Sequence, residues 1–481
     1  MRASAQPPSV VSAAVESYAT GMPRLRSGAP GRRAALAALA LAACSGSSAS
    51  GDGGPLPGEG AQPPAGLFPL GVAPDGGSLV TADGRPFLLH AEAAWSLIAQ
   101  PSTADAMQYL ADRHARGVDA IIVNLIEHKF ADHAPRDAAG DAPFTTPGDF
   151  STPDEAYFAH ADQVIDLAAS QGIAVLLAPS YLGYAGTDEG WSQEMTALPV
   201  AKCQRYGDFV GKRYAARHNI VWLWGGDTTP ATGSALEACM QAIRDAIVAA
   251  ESAAGGRHAL TSAHWDHPAD SLVEPTFADA LDLVGVYTYD PDLPACRTTR
   301  AKTPRRPAFL LETTYENEHS AQPSDVRRQQ WWGLLGCGAG EIVGNKPIWE
   351  FGSGWPQNLS SPVSVGEERL LAIAQQVAWQ TLDLDDALVT SGRGTTGSVD
   401  EVAATRTADH KQALIYIPPD GAPAITVDLG QMAGPVTATW EDPTADRSMS
   451  AGTSLTGSPT FTRPGMNAGG DPDWTLVLSA P

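Results

Sequence analysis

Carboxylates and aromatic rings collect where the apolar runs of this sequence end. IVWLW (220–224) stops at two glycines and Asp227, and FLL (309–311) stops at Glu312. Similar stops carry Glu92 and Trp95; Asn124, Glu127 and His128; Tyr181 and Tyr184; His264, Trp265 and Asp266. Others carry Tyr287, Tyr289 and Asp290; Tyr315 and Glu316; and Trp349, Glu350 and Trp355. The inventory holds no thiol nucleophile, no lysine and no triad of liganding histidines, so it calls for neither a metal nor a cofactor. What it supplies is carboxyl chemistry: one acid to protonate a departing oxygen, and one carboxylate on the other side of the carbon. Aromatic faces suit the C–H surfaces of sugar rings, so the chemistry is that of splitting an acetal.

Each candidate also has a plainer reading. Asp227, followed by Thr-Thr-Pro, could cap a helix. Glu312 sits in an apolar strand, where a carboxylate must find a partner or remain costly. His264 and His128 could be satisfied core histidines, and Glu92 and Glu127 members of structural ion pairs.

Short apolar runs alternate with helical periodicity, the signature of a parallel sheet. The predicted strands are 86–95, 120–126, 173–181, 219–227, 259–265, 283–289, 308–316 and 341–351. Helices are predicted at 105–117, 154–172 and 324–338, each closing on a glycine. Eight such units over about 300 residues predict an α/β (β/α)8 barrel, which places chemistry at the C-terminal strand ends. No strand leads into a GxGxxG turn or a Walker lysine loop, so nucleotide use is unsupported. In a barrel the acid pair must come from strands that face each other across the mouth. Strands 4 and 7 meet that demand, which selects Asp227 and Glu312 as the catalytic pair. Glu92, Trp95, Asn124, His128, Tyr181, His264, Tyr287, Trp349 and Trp355 are the candidate substrate contacts.

The barrel is expected over 67–384. Residues 385–481 read as a small all-β sandwich of short strands and Gly, Pro and Asp turns. Its Trp440 and Trp474 read as core rather than as a sugar platform. Residues 1–44 read as a secretory leader: a basic region with Arg24, Arg26, Arg32 and Arg33, then an apolar run at 34–43 too short to span a bilayer. Leu41 to Cys44 resembles a lipoprotein signal, with Cys44 the lipidated residue and Met22 an alternative start. Residues 45–66 are a Gly/Ser/Pro tether.

The formal charge of −23 disfavours nucleic acid or anionic lipid as partners and favours a neutral substrate, or local cations if the substrate is acidic. The carboxylates and aromatic rings make the expected partner an oligosaccharide or polysaccharide. Contact with a membrane is expected only through the lipid anchor, and the chain is expected to be a monomer at the cell surface, in the periplasm or secreted. Beyond the leader four cysteines remain, an even number that permits disulfides in an exported chain. The expected pairs are Cys203–Cys239 and Cys296–Cys337.

Several motifs in order carry a resemblance: APFTTPGDFSTPDEAYFAHAD (142–162), IAVLLAPSYLGY (173–184), NIVWLWGGD (219–227), FLLETTYE (309–316) and GNKPIWEFGSGW (344–355). Together they resemble the apiosidase-like catalytic domain, which includes glycoside hydrolase family 140. ATWEDPTAD (438–446) and DPDWTLVL (471–478) are similar to the β-sandwich that follows such barrels, a module labelled collagen-binding. The resemblance implies hydrolysis of glycosidic bonds, the known case being release of apiose from a branch of a plant pectic polysaccharide. It implies Asp227 as acid/base and Glu312 as nucleophile of a retaining double displacement. Where family members often read GDTAW at strand 1, this chain reads AEAAW (91–95), a change expected to reshape the subsite for the sugar's hydroxyls. The alternative reading is a non-catalytic glycan-binding lipoprotein on the same barrel; a metal-dependent hydrolase would need clustered ligands such as His128, His264 and Asp266.

Overall fold

The computed structural model describes residues 63–255 and 258–481. The leader, Cys44, Met22 and the tether up to residue 62 lie outside the described residues. Among the described residues no helix is long and apolar enough to cross a membrane.

Eight parallel strands build the core: β1 (Leu89–Ala93), β2 (Ala120–Asn124), β3 (Ala174–Ala178), β4 (Ile220–Gly225), β5 (Thr261–His264), β6 (Val284–Tyr287), β7 (Ala308–Glu312) and β8 (Gly338–Val343). They pair in the order β5-β4-β3-β2-β1-β8-β7-β6. The seam between β5 and β6 is bridged by the Leu283 amide donating to the Thr261 carbonyl at 3.0 Å. Ser271 adds hydrogen bonds to both Ala263 and Gly285 there. The result is a (β/α)8 barrel.

Its strands are apolar on both faces because both faces are covered. Alternate residues fill the barrel interior (Ala91, Ile122, Leu176, Leu223, Phe309, Leu311, Ile342). Their neighbours, such as Ile121, Val123, Val175 and Trp222, face the helices. The main helices are α1 (Thr103–Ala115), α2 (Glu155–Ser170), α3 (Val200–Tyr214), α4 (Ala235–Ala253), α5 (Pro275–Ala278), α6 (Asp292–Arg300), α7 (Pro323–Trp332) and α8 (Pro362–Ala374). Ser102, Asp154, Ser234 and Ser361 cap α1, α2, α4 and α8 with their side chains, satisfying amides that the first turn leaves free. A small antiparallel sheet (Gly71–Val72, Leu79–Val80, Pro86–Phe87) precedes β1 and adds Leu70, Leu79 and Phe87 to the interior cluster.

The strand expected at 341–351 lies earlier, at Gly338–Val343. α7 ends at Trp332 and continues as a π-turn through Cys337, so the glycine taken as a helix stop is the first residue of the strand. Cys203 is bonded to Cys239, tying α3 to α4, and Cys296 to Cys337, tying α6 to the start of β8.

The C-terminal part is a sandwich of a six-stranded and a three-stranded antiparallel sheet, whose first strand already begins at Leu382. Trp440 and Trp474 are buried in its core. The sandwich is locked to α7: Trp331 stacks on Tyr416 at 5.4 Å, and the Arg327 guanidinium donates twice to buried Asp473, both at 2.7 Å.

Candidate active site

Two glycines place the first carboxylate. Gly225 and Gly226 have φ of +92° and +125°, and Asp227 follows at +54°, a conformation that Asp tolerates better than most residues. A Cβ on Gly226 would stand 2.3 Å from the Tyr181 ring; one on Gly225 would stand 2.4 Å from the His264 carbonyl. The glycines therefore let Tyr181 and β5 lie against the backbone. In that seat the Tyr181 hydroxyl donates to Asp227 Oδ2 at 2.5 Å.

A bulge places the second. On β7, Phe309 and Leu311 point inward, so strict alternation would send Glu312 towards the helices. The pairing with β6 slips instead: Val286 faces Leu310 but Tyr287 faces Glu312, skipping Leu311. The extra residue re-aims Glu312 into the barrel mouth.

His264, at the end of β5, joins the two. The Asp227 backbone amide donates to its Nδ1 at 3.0 Å. Nδ1 is therefore the acceptor and Nε2 carries the proton, which it donates to Glu312 Oε2 at 2.7 Å. One nitrogen or oxygen atom from each of Asp227, His264 and Glu312 lies within 4.8 Å of the others. With Nε2 protonated, the ring is in the wrong tautomer to be a metal ligand there. Tyr287 stacks on the imidazole at 4.8 Å, and Trp95 packs at 5.5 Å. Burial pushes the Glu312 carboxyl up to about 7, opposed mainly by the hydrogen bond from His264. The Asp227 and Glu312 side chains remain 15% and 9% exposed, enough to reach a ligand.

Both carboxylates open into a cavity of about 680 Å³. Trp95, Tyr181, Phe130 and Trp349 pack one on the next along its wall, and Tyr315, Tyr287 and Tyr289 line it as well. Trp95 Nε1 donates to the Tyr315 hydroxyl at 3.2 Å and Trp349 Nε1 to Glu318 at 2.8 Å, which fixes both indoles.

Of the expected contacts, Trp95, Tyr181, Tyr287 and Trp349 line this cavity. His264 lies behind the carboxylates, fully buried. Four others are placed elsewhere. Glu92 faces outward, accepting from Tyr109 (2.7 Å) and Arg113 (3.0 Å) on α1. The Ala91–Glu92 departure thus leaves this cavity's wall untouched. Asn124 is buried at the top of β2 and does not border the cavity. His128 bonds the Asp188 carbonyl and Glu194, pinning the loop before α3, and Glu194 raises its pKa. Trp355 packs on Tyr109 and Phe351 outside the barrel. Phe130, Glu189, His267, Glu318 and His319 also line the cavity; they sit on loops beyond the strand ends, where no periodicity marks them.

The family model of the apiosidase-like catalytic domain matches residues 73–384, most of the chain and all of the barrel strands. The chain belongs to the apiosidase-like family. It is a glycosidase, and its substrate is a carbohydrate. A solved glycoside hydrolase shares its fold at 20% identity and TM-score 0.73, covering 87% of this chain and 98% of its own. A glycoside hydrolase family 5 structure from Bacteroides vulgatus ATCC 8482 does so at 19% identity and TM-score 0.73, covering 85% and 93%. No curated protein matches the chain. In this apiosidase-like barrel, the carboxylate pair stands at the C-terminal strand ends, where barrel enzymes hold their chemistry.

Proposed function

We propose that the protein is a retaining glycoside hydrolase acting on polysaccharide side chains, with Asp227 as acid/base and Glu312 as nucleophile. The observation that carries this reading is the closeness of the pair: both carboxylates approach the one His264 Nε2, Glu312 at 2.7 Å and Asp227 at 3.9 Å, which favours the short separation over one that admits a water between them. Retaining enzymes hold their carboxyl groups about 5–5.5 Å apart, while inverting ones leave about 6.5–9.5 Å for a water. The role split follows from the hydrogen bonds. His264 donates to Glu312, favouring the anion that attacks the anomeric carbon. Asp227 lines the cavity with its side chain 15% exposed and its Oδ2 held by the Tyr181 hydroxyl, which suits it to hand a proton to the departing oxygen. After the glycosyl–Glu312 ester forms, Asp227 takes a proton from water, whose oxygen then breaks the ester.

Export is part of the same proposal. Two fully buried disulfides suit an oxidising compartment, which agrees with the leader and with Cys44 as a lipid anchor. The sandwich serves as a structural companion to the barrel, a role its buried ion pair to α7 supports.

The test is a screen of pectic and arabinan-type oligosaccharides with product chromatography, followed by Asp227→Ala and Glu312→Ala with azide. Azide should rescue the first by giving a glycosyl azide of retained configuration, and the second by giving an inverted one. Swapped configurations would reverse the roles, an outcome the raised Glu312 carboxyl would fit. Binding of oligosaccharide without any turnover would leave a glycan-binding protein.

A further inference from the structure

A second cluster of ionisable groups lies on the outer face of the sheet, away from the cavity. His90 on β1 and Glu341 on β8 are ladder partners, and Glu367 comes from α8. His90 Nδ1 is 2.8 Å from Glu341 Oε1 and 3.3 Å from Glu367 Oε2. All three side chains are 0–4% exposed. Among the described residues, both oxygens of Glu367, Oε2 of Glu341 and Nε2 of His90 have no hydrogen-bond partner. Among the described residues no lysine or arginine pairs with either glutamate; the paired cation nearby, Arg113, is held by Glu92 and Asp112. A third carboxyl, Asp119, accepts from the His90 backbone amide at 3.0 Å.

Buried carboxylates without cations are costly, and orphaned buried oxygens call for a ligand. A dication would neutralise the two glutamates and occupy their unused lone pairs. The spacing suits one: bonds of about 2.0–2.2 Å from zinc to nitrogen and oxygen put tetrahedral ligand atoms about 3.3 Å apart. His90 Nδ1 and Glu367 Oε2 already stand at 3.3 Å, and the Glu341 contact need lengthen only slightly. We propose that His90, Glu341 and Glu367 form a structural site for a divalent metal of the zinc class, joining β1, β8 and α8. The metal enters during folding and holds the barrel closed at the junction of its first and last strands. It takes no part in the chemistry at the mouth.

The protein is unfolded in denaturant without reductant, refolded with Zn²⁺ or with chelator, desalted, and assayed for metal and melting temperature. Wild type should keep about one equivalent of zinc and melt several degrees higher than the chelator sample. Glu367→Gln should keep none, whereas Asp227→Asn should keep it all. The proposal is overturned by retention below about a tenth of an equivalent for Zn²⁺, Mn²⁺ and Ca²⁺ alike, the acids then sharing protons instead. Undiminished retention in Glu367→Gln overturns it too, by placing the metal elsewhere. If that variant does not fold, an anomalous-scattering peak between His90 and Glu341 in metal-loaded wild-type crystals supports the site. Its absence there refutes it.

Discussion

Replacing Tyr181 by Phe removes one oxygen and leaves the ring that packs on Gly226 and Trp95. The hydroxyl donates to Asp227 Oδ2 at 2.5 Å, the short end of the range for a hydrogen bond to a charged oxygen. Such bonds contribute about 1.5–3 kcal/mol. At about 1.36 kcal/mol per tenfold in rate, losing one costs roughly 10- to 150-fold. The Asp227 side chain is 15% exposed, so water can replace part of the bond, and the expected loss is towards the lower end, about 10- to 50-fold. The loss should fall on kcat with KM little changed, because the bond orients the proton-handling carboxyl. Stability should drop by less than about 1 kcal/mol, since the ring's packing is kept. Steady-state kinetics beside a thermal melt make the measurement. Activity within threefold of wild type would show that Tyr181 does not orient Asp227, and the account of the double glycine would fail with it.

Gly226→Ala should cost activity more than stability: about 100-fold in kcat as Tyr181 is displaced, against about 1–3 kcal/mol in a denaturant titration. Comparable losses in both would mean a folding defect alone. For pH, a nucleophilic Glu312 as proposed must attack as the anion, and burial holds its carboxyl at about 7, so kcat/KM should rise with pH through about 7. A flat profile down to pH 5 would contradict this. The stability effect has the opposite sign: the contribution from Glu312 is full below its unfolded value of 4.5 and is lost as pH rises through about 7. Arg327→Met leaves Asp473 buried with Tyr416 and Asn467 as donors but no cation, and should destabilise by about 3–5 kcal/mol. A melt unchanged by that substitution would show the sandwich to be loosely attached.

The barrel was legible because its apolar runs recur at a regular interval and glycines close its helices. That Asp227 and Glu312 stand close together at the strand ends also followed from strand count. Its geometry did not: the slip at Leu311 that turns Glu312 inward leaves no trace in FLLETT, where alternation points the other way. The same alternation, unbroken on β1, turns Glu92 outward to Arg113, although a strand-end acid reads alike in both cases. His264 was legible as a residue and not as a link, because its partners come from β4 and β7 and meet only on closure. Glu318, His319 and Phe130 depend on loop conformation, which no periodicity encodes.

The central claim is that Asp227 and Glu312 act as a retaining pair. Proton NMR of the first sugar released by the wild-type enzyme, recorded before mutarotation, tests it most directly. The account predicts the anomer of the substrate; first release of the opposite anomer would contradict it.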